Sequence, residues 1–159
     1  MAHRELREDY GAWVRARRTL LGMSQRDLAR DSGVPQPHVS AIESGKRPAG
    51  ASVRARLDEA LAMYPSYALE RRRADVVGAF TRRGHQSPRV FGSIARGEDT
   101  KTSDVDLIAE LRHPFGYLAL SELLDELEAL LTFPVDVADD SPRVSSRTLD
   151  QARREAVPL

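Results

Sequence analysis

The sequence predicts two domains, an all-α one over residues 1–66 and an α/β one with a small mixed sheet over residues 67–159. Three observations carry this. Up to Met63 the apolar residues recur only at helical spacing, punctuated by Gly and Ser-Gly turns. Pro65-Ser66 then interrupts the helical pattern and marks the boundary. From Pro88 onward, short apolar runs alternate with helical stretches, as in strands joined through helices.

Taken in order, Trp13, Val14, Leu20 and Leu21 define a first helix that Gly22 ends. Ser24 caps a second helix, which Ser32-Gly33 stops. A third runs from about Gln36 to Ser44, and a fourth from Val53 to Met63 with Leu57, Ala60 and Leu61 inward. After Pro65-Ser66 a longer helix carries the stripe Leu69, Val76, Val77 and Phe80. Arg89-Val90-Phe91 reads as a strand, Ser93–Gly97 as a brief helix and Asp104–Leu111 as a second strand. Leu120, Leu123, Leu124, Leu127, Leu130 and Leu131 form one face of the next helix, with Glu122, Asp125, Glu126 and Glu128 outside. Pro134–Ala138 is a third strand and Thr148–Ala156 a last helix. His85 and His113 fall in loops and are expected on the surface.

Composition narrows the function classes. No apolar run approaches the roughly 20 residues of a membrane span, and the first residues lack a secretory apolar region, so a cytoplasmic location and no membrane partner are expected. Cysteine is absent, which removes disulfides, thiol catalysis and Cys-type zinc sites. The formal net charge of zero hides an asymmetry. Residues 1–73 hold 14 Lys and Arg against 9 Asp and Glu, and the remainder hold 10 against 15. A basic half before an acidic half suits a polyanion binder joined to a cation binder.

In the first half Ala29 is small where two helices cross, Gly33 supplies a turn of positive φ, and Val39 and Ile42 seat one helix on another. Together Ser24-Gln25, Leu28-Ala29, Gly33-Val34, Val39-Ser40, Ile42-Glu43 and Gly45-Lys46-Arg47 resemble the helix-turn-helix of the phage repressor and Cro (XRE) family over about residues 8–63. The resemblance implies operator DNA as a partner. It places Gln36, Pro37, His38 and Ala41 toward base edges, with Gln36 suited to adenine and His38 to guanine, while Pro37 and Ala41 bring no donor. Gln25, Lys46 and Arg47 become candidate phosphate contacts. It also implies an ion pair between Arg18 and Glu43. One such module binds weakly, so specific binding implies a dimer, and a homo-oligomer or hetero-oligomer is expected.

In the second half Asp104 and Asp106 lie two apart on one strand face, with Val105 and Leu107 on the other. Like charges so close call for a cation, and an oxygen-only donor set suits Mg²⁺. Asp136, between Val135 and Val137, shares that parity and offers a third carboxylate for a two-metal arrangement. Gly92-Ser93 opens a helix straight after a strand, leaving backbone amides to meet phosphate oxygens.

The string Gly92-Ser93-Ile94-Ala95-Arg96-Gly97, followed by Ser103-Asp104-Val105-Asp106-Leu107, resembles the signature of minimal nucleotidyltransferases (MNT) of the polymerase-β-like superfamily, over about residues 67–159. The resemblance implies metal ligation and catalysis by Asp104, Asp106 and Asp136, two Mg²⁺ ions, ATP as substrate, and nucleotide binding by Gly92, Ser93 and Ser103. Arg96 is left between a phosphate contact and a pair with Glu98 or Asp99. Asp136 is placed to assist deprotonation of an acceptor hydroxyl.

The chain ends soon after the third strand, without the further domain that builds a small-molecule pocket, so a macromolecular acceptor is expected. Proteins of this type resemble the antitoxin half of HEPN/MNT toxin–antitoxin pairs, which transfer AMP to a tyrosine of a HEPN toxin. A helix-turn-helix then implies an operon autoregulator. The alternatives are a DNA-binding regulator with a non-catalytic nucleotide-binding domain and a small-molecule nucleotidyltransferase.

Overall fold

The computed structural model describes residues 9–112, 114–141 and 147–159, so His113 lies outside the described residues. The chain divides into two compact units that part between Met63 and Tyr64.

The first unit is built from four helices. Helix α1 (Tyr10–Leu20) is capped by Asp9, whose carboxylate accepts from the Ala12 amide at 3.0 Å. Helix α2 (Gln25–Ser32) carries the expected Ser24 cap, closed reciprocally by Asp27. Gly33 leaves it at a φ of +67°, and α3 (Gln36–Glu43) and α4 (Ala51–Ala60) follow. Val14, Leu28, Val39, Ile42, Leu57 and Leu61 are buried in one core. Gly11 was not marked by sequence reasoning, yet a Cβ there would lie 2.2 Å from the Ile42 carbonyl oxygen, so α1 and α3 approach backbone to backbone.

The expected Arg18–Glu43 pair is present as a two-toothed contact. Arg18 Nε donates to Glu43 Oε1 at 2.7 Å and Nη2 to Oε2 at 3.0 Å, while Nη1 donates to the Met23 carbonyl. The Glu43 side chain is 3% exposed. A buried, doubly bonded pair is costly to break from one side. Glu43→Arg sets two guanidinium groups together in that place, and we expect it to destabilise this unit by about 3–5 kcal/mol. An unchanged thermal melt of the variant would contradict the pairing.

The second unit starts with α5 (Pro65–Arg82), which buries Ala68, Leu69, Val76, Ala79 and Phe80. Then come β1 (Gln86–Val90), the five-residue helix α6 (Gly92–Arg96), β2 (Val105–Glu110), α7 (Tyr117–Leu131), β3 (Val135–Asp139), α8 (Arg147–Glu155) and β4 (Val157–Pro158). The strands form one mixed sheet in the order β3-β2-β1-β4, with β2 and β3 parallel and the other pairs antiparallel. Helix α7 makes the crossover that a parallel pair requires. The two-residue β4 was not anticipated; it pairs Val157 with Val90, and the Leu159 amide donates to the Pro88 carbonyl.

Strand parity assigns the faces. Ile108 packs with Leu149 and Ala152, so α8 covers the face that Ile108 shares with Asp104 and Asp106. Val105, Leu107 and Ala109, of opposite parity, are fully buried.

Two expectations are corrected here. His85 is buried rather than on the surface: its Nδ1 accepts from the Arg112 amide at 3.0 Å and its ring meets Phe115 edge-on at 4.5 Å. A loop histidine with an aromatic neighbour and a backbone partner loses little by leaving water. Glu128 faces inward rather than outward, and its Oε1 accepts from the Val135 amide where β3 begins. That buried carboxylate satisfies a backbone donor that the strand start exposes.

Candidate active site

The site forms where β1 ends and β2 and β3 begin. Parallel pairing sets Asp106 opposite Asp136 and Val105 opposite Val135, so the two carboxylates leave the same sheet face side by side. Asp104 precedes β2 with the same parity as Asp106. The alternation of valine and aspartate creates this. Val105 and Leu107 take the fully buried face, and the acids are turned to the face that α8 covers further along β2.

Gly92 carries the chain out of β1 at a φ of +68°, a backbone conformation that side-chain-bearing residues rarely adopt. The Asp106 carboxylate lies directly against it. A Cβ at position 92 would stand 2.3 Å from Asp106 Oδ2 and 3.2 Å from its Cγ. The Phe91 amide donates to the Asp106 carbonyl, which locks this turn to β2. The Ser93 carbonyl accepts from the Glu98 amide at 2.8 Å and Gly97 closes α6 in the left-handed region, so the turn is held at both ends.

Asp106 is half-buried, whereas Asp104 and Asp136 are exposed. Burial, followed by the charges of Asp136 and then Asp104, raises the Asp106 pKa above the usual carboxylate value, and Arg96 opposes the rise. Two acids and one arginine therefore act on Asp106. Among the described residues no three His, Asp or Glu side chains already form a group that could hold a metal ion. The three aspartate side chains offer only carboxylate oxygens, two on adjacent strands and Asp104 just ahead of one, and a hard divalent cation fits such donors.

Ser103 binds the loop ahead of Asp104: its Oγ accepts from the Thr100 amide at 2.9 Å, and its amide donates to the Thr100 carbonyl. Arg96 is engaged by carboxylates. Its Nε donates to Glu98 Oε2 and its Nη1 to Glu155 Oε2, both at 2.8 Å. Of the two acids that sequence reasoning offered it, Glu98 is the one it meets. Asp99 instead accepts from the Ser66 amide at 3.0 Å, capping α5 from 33 residues away. Glu155 was missed because no spacing rule links a residue on α8 to one on α6.

In the first unit Gln25 and Gln36 are brought together. Gln36 Nε2 donates to Gln25 Oε1 at 2.9 Å, and Gln25 Nε2 donates to Glu43 Oε2 at 3.0 Å. The Arg18–Glu43 pair thus aims both amides through one hydrogen-bonded chain. Pro37, Lys46 and Arg47 are exposed, and His38 and Ala41 half-exposed.

Comparison with known proteins follows the same division. A helix-turn-helix family model matches residues 14–66, and one described as a nucleotidyltransferase domain matches residues 80–156. A relative from Methanocaldococcus jannaschii with the provisional name protein adenylyltransferase MJ1215 is 44% identical over 52 residues, 33% of this chain and 60% of that protein. A second from that organism, provisionally named protein adenylyltransferase MJ0435, is 32% identical over 80 residues, 48% of this chain and 86% of that protein. The chain thus spans under two thirds of the first relative and most of the second. The solved structure of a provisionally assigned minimal nucleotidyltransferase superposes with a TM-score of 0.52 at 36% identity, covering 59% of this chain and 95% of that one. No helix among the described residues is long and apolar enough to cross a membrane. A glycine turn pressed against one of two paired strand carboxylates, with these matches, means that the chain belongs to the nucleotidyltransferase family and carries a helix-turn-helix domain ahead of it.

Proposed function

We propose that this protein transfers AMP from ATP to a hydroxyl on a protein partner, a tyrosine of a HEPN-type toxin, and binds its own operator through the helix-turn-helix, acting as antitoxin and autoregulator. The observation that carries the transfer reading is the β2–β3 register, which sets Asp106 beside Asp136, with the Gly92 turn against Asp106. Relatives provisionally named protein adenylyltransferases support a protein as acceptor. The Gln25–Gln36 pair supports DNA as the first unit's ligand.

In this reading the triphosphate lies over the Gly92-Ser93 turn, where backbone amides meet its oxygens. Asp104, Asp106 and Asp136 would hold a divalent cation, Mg²⁺ by donor type, which supplies neutralising charge to the triphosphate. Asp136, exposed at the start of β3, accepts the proton of the incoming hydroxyl. The hydroxyl oxygen bonds to the α-phosphorus as the bond to pyrophosphate breaks.

The test is incubation with Mg²⁺, the product of the neighbouring reading frame and ATP labelled at either the α- or the γ-phosphate. Label should reach the partner protein from the α-position only. No transfer from either position would overturn the reading and favour a DNA-binding regulator, and label on a low-mass acceptor would favour a small-molecule transferase.

A further inference from the structure

The Arg96 guanidinium offers five N–H donors in a planar fork, and two of its three nitrogens are already taken. Nε is held by Glu98 from the loop just after α6, and Nη1 by Glu155 from the last residue of α8. Glu155 is itself steadied, since Gln151 Nε2, one turn earlier on α8, donates to its Oε1 at 2.8 Å. Nη2 has no protein hydrogen bond among the described residues. The arrangement grips an arginine from behind by two nitrogens and leaves one edge of the fork open.

The position of this grip matters. Arg96 ends the five-residue helix that Gly92 and Ser93 begin, and its charge reaches Asp106. Helix α8 covers the same sheet face as the acids. The Arg96 side chain is 44% exposed, so without a partner from a second element it would sample many rotamers. A long side chain fixed before its ligand arrives loses less entropy on binding.

We propose that Glu155 is a positioning residue: with Glu98 it clamps Arg96 by Nε and Nη1 and presents the open Nη2 edge to the polyphosphate of the nucleotide. This rests on the reading of the Gly92-Ser93 turn as a triphosphate site and assigns a role to a residue that the family motif does not include.

The sign of the effect separates positioning from competition. A carboxylate that merely competes with phosphate for Arg96 would strengthen anion binding when removed. A carboxylate that positions Arg96 would weaken it. The experiment is a calorimetric titration of the full chain with magnesium tripolyphosphate, for the wild type, Glu155→Ala, Glu155→Gln, Arg96→Ala and the Glu155→Ala/Arg96→Ala double variant, with thermal melts of each.

The expected result is a loss of about tenfold for Glu155→Ala and a smaller loss for Glu155→Gln, which keeps a hydrogen-bonding oxygen for Nη1. The Glu155 substitution should have no further effect once Arg96 is gone, the mark of residues acting through one another. Binding by Glu155→Ala as tight as wild type or tighter would overturn the proposal, as would the same loss in the Arg96→Ala background. Tripolyphosphate binding that follows this pattern in a protein that transfers no AMP would support the clamp and sink the transfer reading. A wild type that binds no tripolyphosphate would overturn both.

Discussion

Gly92→Ala is expected to reduce AMP transfer by at least about 100-fold while leaving the protein folded. Two separate obstacles meet at this position. The first is the backbone, which holds a φ of +68° and so costs an L-residue about 1–3 kcal/mol. The second is space: the new methyl group would stand 2.3 Å from Asp106 Oδ2. That oxygen is the far end of a side chain, so rotation of the carboxylate relieves the clash and the fold survives. What rotates away is the Asp106 carboxylate on which the proposed transfer depends, and a displacement of about 1 Å is enough for a loss of this size. Transfer of α-phosphate label and a thermal melt measured on one preparation check the two halves. Transfer near the wild-type rate would mean that Asp106 does not act from the place where the turn holds it.

Asp106→Asn should separate activity from stability in opposite directions. Transfer should fall by more than about 100-fold, since even groups one step removed from a metal are worth 10- to 100-fold. The metal-free variant should nevertheless melt higher than the wild type at pH 7. Burial and the Asp136 and Asp104 charges raise the Asp106 pKa in the folded protein, so in the window between its unfolded and folded values the folded state binds more protons. Wild-type stability therefore falls as pH rises through that window, and above it the repulsion is present in full. Asparagine is isosteric and has no charge to repel. The advantage of the variant should vanish below the unfolded carboxylate value of about 3.9, where the wild-type group is neutral in both states. Mg²⁺ should stabilise the wild type and leave the variant nearly unmoved. Melting curves in chelator and in Mg²⁺ at two pH values decide it, and a variant that melts lower than metal-free wild type at pH 7 would contradict the account.

Much of this site was legible because its logic is local. Valine and aspartate in alternation reveal both a strand and the face its acids take, and two such runs imply neighbouring strands. The Ser24 cap, the Gly33 turn and the Arg18–Glu43 pair were likewise readable, the last through family resemblance. What escaped is what depends on distant partners. Strand β4 spans two residues, too few to show any period, and exists because β1 offers it an edge. His85 and Glu128 are buried because a backbone amide from another element meets each of them. Glu155 finds Arg96 across 59 residues of sequence.

The bond from the Ser66 amide to Asp99 joins a cap to a loop that does something else. Helix α5 opens the second unit with Tyr64 and Pro65, and its own cap residue makes no side-chain bond. One amide of its first turn, that of Ser66, is met by a carboxylate from the segment between the Gly92 turn and Asp104. Linkage is reciprocal: whatever restrains that segment also secures the start of α5, and whatever frays α5 loosens the segment by the same free energy. The Ser66 amide is thus a reporter placed outside the site, and its rate of hydrogen exchange is a measure of how firmly the loop is held.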